Sequence, residues 1–276
     1  MKRFLPSLLY LFLCMNGSGQ PVPFDPGRGL VVVEVTIDGH ITGTFGIDTG
    51  ADRLYIDRTF AEKNGLSIRE NSGNMVVTGV GGTSAMAATD IRSLRLSRRE
   101  TLYNLSATVV DMQKIGGQTA GKPPDGLIGF DILRRFYVTV DYPNGTMELI
   151  SHEPDFLTSG EYITWPFEQE RHLMLVDVLF DGSVRAPMVF DFCASLTTLE
   201  PSLAERLGYV PDQSGWLIID SMGEGDVVVE DVQAAVIDHS NLKRSGSNEF
   251  QGILGASFLY RSKITVDYKR QRIYFH

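Results

Sequence analysis

The sequence contains few cysteines and fewer basic than acidic residues. Only two of its 276 residues are cysteines, Cys14 and Cys193, which excludes a disulfide framework and a zinc or iron–sulfur site built from cysteines. Lys and Arg number 25 against 34 Asp and Glu, so the formal net charge is −9. Because phosphate binding requires a basic surface, the charge argues against nucleic acid as the main partner.

Histidine is also scarce, and we predict no metal site. The five histidines show no spacing typical of metal ligands, and we expect them at the surface or in loops. They are His40, His152, His172, His239 and His276.

Long apolar runs are absent except near the N-terminus. Two basic residues precede the apolar stretch 4–15, and small residues at 17–19 precede Gln20. This pattern is typical of a secretory signal peptide, and the stretch is too short to cross a membrane comfortably as a helix. We therefore predict a signal peptide at residues 1–19 and an exported protein, either periplasmic or secreted.

Two alternatives remain open for this segment. It could form a buried N-terminal helix. It could also be a lipoprotein leader with Cys14 as the lipidated residue, although Leu13 is large where a small residue is usual. We expect membrane attachment only if Cys14 is lipidated.

Two blocks of the chain recur without gaps. Residues 35–66 match 178–209 at an offset of 143, and residues 125–149 match 251–275 at an offset of 126. The second block repeats the tetrapeptide Thr-Val-Asp-Tyr at 139–142 and 265–268. The alternative is that both halves share only a generic β pattern. The first copy is 17 residues longer, and we place the extra residues within 83–124.

The repeat predicts two similar lobes in one chain. They comprise residues 20–150 and 165–276, joined by a polar linker at 151–164. Apolar, β-branched segments ending at Asp-Gly turns indicate an all-β fold, with one short helix per copy. Strands are predicted at 30–37, 136–141, 173–180 and 263–267, a hairpin at 75–89 and helices at 58–64 and 201–207.

The sharpest motif begins where an apolar strand ends, at Asp48-Thr49-Gly50-Ala51-Asp52. A Gly-Val-Gly-Gly hairpin tip begins 31 residues later, and Leu-Ile-Gly at 127–129 follows 79 to 81 residues later. In these motifs the chain resembles the retropepsin-like family of aspartic peptidases. The resemblance is strong over residues 30–150 and weaker over 172–276.

The resemblance implies two closed or orthogonal β lobes of the acid-protease type, with a cleft between them. It assigns catalysis to Asp48 and Asp191, one from each lobe, and support of the catalytic loop to Thr49 and Gly50. Thr49 is expected to form hydrogen bonds to the other lobe. The substrate-binding flap would comprise Gly79, Val80, Gly81 and Gly82.

The implied chemistry is hydrolysis of peptide bonds in a peptide or protein substrate, without a cofactor. Two adjacent carboxylates share one proton, so that one activates water while the other polarises the scissile carbonyl. A shared proton of this kind is the general property of aspartic protease dyads. Because Ala51 and Ala194 lack hydroxyl donors, we expect activity nearer neutral pH than pH 3.

Asp52 is the remaining acidic residue of the motif. In the resembling family, an arginine after the glycine of the packing strand pairs with it, but Phe130 stands there in this chain. Arg134 or Arg135 is an alternative partner, and substrate backbone is another, so Asp52 is a candidate substrate-binding residue.

The second copy keeps its acid but changes the loop to Asp191-Phe192-Cys193. Phe192 lacks a hydroxyl, and we expect Cys193 to crowd the carboxylate. We place the flap counterpart at 221–225. Three functions follow as alternatives: a monomeric peptidase using both aspartates, a catalytically dead peptide-binding module, or a peptidase using Asp48 from two chains.

Overall fold

The computed structural model describes residues 20–71, 75–116, 122–245 and 250–276. The predicted signal peptide and Cys14 lie outside these residues. Over the described ranges the chain is nearly all β, and no helix there is long and apolar enough to cross a membrane.

The first half of the chain contains twelve strands and three helices in its described part. The strands are β1 (Val22–Pro23), β2 (Val32–Ile37), β3 (Ile41–Ile47), β4 (Tyr55–Asp57), β5 (Arg69–Glu70), β6 (Val76–Gly79), β7 (Gly82–Ala85), β8 (Ala87–Arg95), β9 (Thr101–Val110), β10 (Gly126–Ile128), β11 (Tyr137–Asp141) and β12 (Thr146–Ile150). The helices are α1 (Arg58–Lys63), α2 (Met112–Ile115) and α3 (Phe130–Leu133), with a 3₁₀ turn at Pro26–Arg28.

The second half has a closely related order of elements. Its strands are β13 (Ile163–Pro166), β14 (Glu168–Glu170), β15 (Leu173–Phe180), β16 (Val184–Phe190), β17 (Thr197–Leu199), β18 (Trp216–Glu224), β19 (Val227–Val236), β20 (Gly252–Leu254), β21 (Lys263–Asp267) and β22 (Arg272–Phe275). Its helices are α4 (Phe156–Ser159), α5 (Pro201–Leu207), α6 (Ser240–Ser245) and α7 (Ala256–Leu259).

Each half closes into a six-stranded barrel. The order is β2-β3-β10-β4-β9-β8 in the first, with β8 pairing back to β2 and β5 attached to β8. The order is β15-β16-β20-β17-β19-β18 in the second, with β18 pairing back to β15 and β14 attached to β15. Alternating apolar residues fill both interiors, as along β2 and β16. The predicted all-β fold with two closed lobes is confirmed.

A third sheet joins the barrels, in the order β1-β12-β11-β21-β22-β13. At its centre β11 pairs antiparallel with β21, so that Thr139 faces Thr265 and their hydroxyls are 2.8 Å apart. The segment predicted as a linker, 151–164, contains α4 and runs into β13.

Both predicted Asp-Gly turns are present and use a left-handed backbone. Asp38 and Asp181 have φ values of 53° and 48° and are followed by glycines with positive φ. Asp38 accepts a hydrogen bond from the Ser93 amide, and Asp181 accepts one from the Ser221 amide. The two barrels therefore share this local arrangement, in which Ser221 takes the place of Ser93.

That equivalence corrects the predicted second flap. Residues 221–225 lie at the turn between β18 and β19 and correspond to the far end of β8. The chain between α5 and β18 spans only 208–215, whereas 64–86 separates α1 from β8. The extra residues of the first copy therefore lie mainly at 64–86 and not at 83–124, and they include the β6–β7 hairpin.

Helices α1 and α5 lie where they were predicted, but the expectation of one short helix per copy was wrong. Several additional helices of one or two turns follow strands at the barrel ends, including α3 and α7 directly after Gly129 and Gly255. Segments this short do not develop the 3.6-residue periodicity by which a sequence reveals a helix.

Candidate active site

Two equivalent loops present the predicted aspartates. Asp48 follows β3 and its amide donates to the Ile128 carbonyl at 3.0 Å, while Asp191 follows β16 and its amide donates to the Leu254 carbonyl at 3.0 Å. Strands β10 and β20 run parallel to β3 and β16. The two hydrophobic–hydrophobic–Gly segments thus lie beside the loops, as the sequence indicated.

The carboxylates of Asp48 and Asp191 both lie beside the backbone of Gly50. Its amide donates to Asp48 Oδ1 at 2.9 Å. A Cβ on Gly50 would lie 3.1 Å from Asp191 Oδ2 and 3.3 Å from Asp48 Oδ1. Glycine is therefore needed for both acids to approach this backbone, and both remain partly exposed.

The pKa of each acid is raised above its ordinary value. Burial raises the pKa of Asp48 well above its ordinary value, and the charge of Asp191 raises it further. Burial also raises the pKa of Asp191, although the amides of Cys193 and Gly50 and the Thr49 hydroxyl oppose this. Two such groups favour a state in which one proton is held between them.

Thr49 joins the two loops, as predicted. Its hydroxyl donates to the Phe190 carbonyl at 2.9 Å and accepts from the Phe192 amide at 3.1 Å. The second loop makes no equivalent side-chain hydrogen bond to the first, because Phe192, at the position that corresponds to Thr49, has no hydroxyl. The Phe192 ring is fully buried and packs against Phe190 and Tyr142, with centroids 5.2 and 6.4 Å away.

Cys193 does not displace the Asp191 carboxylate, so the expected crowding was wrong. Its amide donates to Asp191 Oδ1 at 2.8 Å. The side chain instead lies against Gly46, where a Cβ would come within 2.8 Å of the sulfur. Burial raises the pKa of the thiol well above its ordinary value, and the two aspartates add to this, so the thiol stays protonated and is a poor nucleophile.

Asp52 has a partner that the sequence analysis did not identify. It accepts hydrogen bonds from Arg53 Nε at 2.8 Å and from the Tyr55 hydroxyl. These bonds lower the pKa of Asp52 although burial opposes them. The expectation of Arg134 or Arg135 was wrong, because Arg134 stacks on the Phe130 ring and Arg135 donates to a backbone carbonyl.

The predicted flap residues form a hairpin whose tip contacts α2. Strands β6 and β7 pair from Val76–Ala85 to Gly79–Gly82, and Val80 and Gly81 form the turn. The Gly81 amide donates to the Ile115 carbonyl at 3.0 Å. A Cβ on Gly79 would collide with the same carbonyl, so Gly79 permits this close approach.

Apolar side chains flank both loops. Beside Ala51 in the first barrel, Val77 of the flap packs on one cluster of buried residues, which comprises Tyr55, Val110, Met112 and Ile115. Beside Ala194 in the second barrel lies another cluster, which comprises Leu173, Leu175, Val189, Phe250 and Ile253. Sequence analysis missed these residues because they come from five or more separate segments.

Within the part of the chain that the structure describes, no group of three or more His, Cys, Asp or Glu side chains is placed to hold a metal ion. His239 lies in the loop between β19 and α6, as expected, but it is buried and only 2% exposed. Its ring contacts Glu200 Oε1 at 3.1 Å and Thr198 Oγ1 at 3.0 Å.

Comparisons with known proteins agree with this geometry. Residues 33–132 match the family described as aspartyl protease. DNA damage-inducible protein 1 of Kluyveromyces lactis is 25% identical over 133 residues, which are 48% of this chain and 29% of that protein. The match therefore spans less than a third of the relative's length.

A solved structure extends the likeness to the second barrel. The aspartic proteinase from Irpex lacteus superposes with a TM-score of 0.60 at 12% identity, covering 94% of this chain and 97% of that one. At this identity the likeness shows the fold. The family match and the fold together support a peptidase of the aspartic type.

Proposed function

We propose that this chain, whose resemblance to the retropepsin-like aspartic peptidases is confirmed by family and fold, is an endopeptidase using Asp48 and Asp191 as its dyad. The observation that carries the proposal is the approach of both carboxylates to Gly50 within one chain. Their raised pKa values favour a dyad with one proton at moderate pH.

In this reaction the ionised carboxylate takes a proton from a water molecule whose oxygen attacks the scissile carbonyl carbon. The protonated carboxyl gives its proton to the carbonyl oxygen. The tetrahedral gem-diol then collapses: the amine nitrogen takes the proton from the carboxyl that received it from water, and the C–N bond breaks. One diol hydroxyl returns its proton to the other carboxylate as the C=O bond forms, so that the dyad again carries one proton. The dyad activates water without a metal ion or cofactor.

A peptide-binding module without activity is the main alternative. Against it, the Phe192 ring is buried away from the solvent and the Cys193 amide still supports Asp191. A peptidase that uses Asp48 from two chains is less well supported, because Asp191 already lies beside Asp48. We therefore propose a monomer.

The test uses the full chain and a library of internally quenched peptides from pH 3 to pH 8. We expect Asp48→Asn and Asp191→Asn each to lower kcat/KM by about 10² to 10⁴-fold or more. Asp90→Asn, an exposed change on β8 away from the dyad, should leave it unchanged. Full activity of Asp191→Asn would exclude the proposed dyad, and binding without cleavage at every pH would favour the peptide-binding module.

The two apolar clusters indicate the substrate. We propose extended peptide segments with bulky apolar residues on either side of the scissile bond, because both loops adjoin buried apolar side chains. Replacing such residues by Ser or Asp in a cleaved peptide should lower kcat/KM, whereas changes far from the bond should matter less.

We also propose export, on the basis of the N-terminal sequence pattern alone. N-terminal sequencing of the protein recovered outside the cytoplasm should give Gln20 as the first residue. A lipidated N-terminus at Cys14 would instead place the protein on a membrane surface.

A further inference from the structure

The repeated tetrapeptide ends in two buried tyrosines that the proposed reaction does not use. Tyr142 follows β11 and is 1% exposed, and Tyr268 follows β21 and is 5% exposed. Among the described residues, neither hydroxyl has a hydrogen-bond partner. A buried hydroxyl without a partner is costly, and here it occurs at equivalent positions in both halves of the molecule.

Both tyrosines lie beneath the catalytic loops. The Tyr142 ring packs against Phe192, the residue after Asp191, with centroids 6.4 Å apart. The Tyr268 ring packs against Phe130 at 5.6 Å, and the Phe130 amide donates to the Ala51 carbonyl. Each ring therefore contacts a residue that belongs to a catalytic loop or is hydrogen-bonded to one.

The two tyrosine hydroxyls also interact electrostatically with the aspartates of the dyad. Burial raises the pKa of both tyrosines, and the charge of Asp191 raises both further. Asp48 acts in addition on Tyr268, and Cys193 on Tyr142. Both hydroxyls therefore lie within the electric field of the dyad, on the side of the six-stranded sheet.

We infer that Tyr142 and Tyr268 are positioning residues of the dyad, and that each hydroxyl holds one ordered water shared with the adjoining catalytic loop. A buried water satisfies two to four polar groups at once, which removes the cost of the two hydroxyls. Hydroxyl donors near an ionised carboxylate stabilise it. The inference rests on the proposed function, because the tyrosines are inferred to position the catalytic dyad of the proposed peptidase.

The predicted change is in the titration of the pair Asp48 and Asp191. The titratable groups around this pair are Asp52, Tyr55, His172 (which faces the Gly50 backbone), the Cys193 thiol, Tyr142 and Tyr268. Removing a tyrosine hydroxyl takes a donor from the ionised form. The titration of the pair should then move to higher pH, by roughly half a unit to one unit for each hydroxyl.

The experiment compares Tyr142→Phe and Tyr268→Phe with Tyr274→Phe in the full chain. Tyr274 is a suitable control because it is 3% exposed on β22 of the same sheet but packs against Phe156 and Tyr162. Carbon-13 NMR of the aspartate carboxyls follows the pair directly, and the acid limb of kcat/KM follows it kinetically. We expect an upward shift in the two test variants and none in the control.

A second measurement distinguishes a hydroxyl that is hydrogen-bonded to a water from one that has no hydrogen-bond partner. If each hydroxyl holds a water, the two test variants should unfold at lower temperature than the wild type, and a high-resolution crystal structure should show a water within about 3 Å of each oxygen. Unchanged or higher unfolding temperatures, together with an unmoved carboxyl titration, would overturn the inference.

The two proposals fail in different ways. A wild-type protein that cleaves no peptide, but whose carboxyl titration moves in the tyrosine variants, would reject the peptidase and leave the positioning role standing. An active enzyme with unmoved titration in both variants would reject the positioning role alone.

Discussion

The hydroxyl of Thr49, in the first barrel, forms two hydrogen bonds to the second barrel. It donates to the Phe190 carbonyl at 2.9 Å and accepts from the Phe192 amide at 3.1 Å. Because Thr49 is fully buried, no water can replace these bonds. The opposite loop contributes an aromatic ring instead of a hydroxyl. The Thr49 hydroxyl therefore helps to fix the two aspartate loops relative to each other, together with the approach of the Asp191 carboxylate to the Gly50 backbone and the packing of the Phe192 ring.

We predict that Thr49→Val lowers the free energy of unfolding by about 1 to 3 kcal/mol. The substitution keeps the shape of the side chain but leaves the buried Phe192 amide without its partner. It should also lower kcat/KM, because the two carboxylates lose their fixed spacing. Urea denaturation and peptide cleavage measure the two effects.

Two variants control this prediction. Thr49→Ser keeps the hydroxyl and should retain most of the stability and activity. Thr89→Val removes a hydroxyl that is equally buried but has no hydrogen-bond partner among the described residues, so it should be neutral or stabilising. Equal losses in Thr49→Val and Thr89→Val would show that the bridge contributes nothing specific.

A second prediction concerns Cys193, which stands where the first loop has Gly50. Cys193→Gly preserves the amide that donates to Asp191, so kcat/KM should stay within about threefold of the wild type. The added backbone freedom of glycine should reduce stability by roughly 0.5 to 1 kcal/mol. Loss of activity in Cys193→Gly would mean that the side chain itself, and not the amide, maintains the site.

The sequence indicated Asp48 and Thr49 because they belong to one short motif at the end of an apolar strand, and it indicated Asp191 because the repeat with an offset of 143 aligns it with Asp48. It failed where the answer depends on a side-chain direction or on distant segments. Nothing local shows that the Cys193 sulfur turns to Gly46, or that Arg53 rather than Arg134 reaches Asp52.

The second flap was misplaced for a related reason. The glycines near 223 do mark a hairpin tip, between β18 and β19, but this hairpin corresponds to the far end of β8 and not to the β6–β7 flap. A Cβ on Gly223 would collide with the Val227 carbonyl. The pairing of β18 with β15 and β19, together with the bond from the Ser221 amide to Asp181, fixes its register, and none of these contacts can be read from the local sequence.

A third prediction is that activity peaks nearer neutral pH than pH 3. The active form carries one proton on the dyad, and burial raises the pKa of both acids, which moves both limbs of the bell-shaped profile upward. Ala51→Ser adds a hydroxyl beside the dyad and should move the acid limb down by roughly half a unit.

A pH profile of kcat/KM for one well-cleaved peptide checks this, with Ala88→Ser on β8 as a control that should not move it. A wild-type optimum near pH 3 would contradict the prediction.

The last prediction links the dyad to stability. An aspartate whose pKa is raised by folding keeps its proton in the native state after the unfolded chain has released it, so native stability falls as pH rises from about 4 to the folded pKa. Asp48→Asn removes this effect and the repulsion on Asp191. The variant should match the wild type near pH 4 and exceed it in free energy of unfolding near pH 7, by about 1.4 kcal/mol for each unit of elevation.

Asp125→Asn provides a control of opposite sign. Asp125 accepts from the Thr44 amide at 3.0 Å and from Lys122 at 2.8 Å, and these bonds lower its pKa although burial opposes them. Its contribution is present above the unfolded pKa and is lost as pH falls through the folded one. Asp125→Asn should therefore be less stable than the wild type at pH 7, with a smaller difference in acid. Urea denaturation of the wild type and the two variants from pH 3 to pH 8 gives the free energy of unfolding of each protein as a function of pH. A lower stability of Asp48→Asn than of the wild type at pH 7 would show that the two carboxylates do not repel each other in the native state.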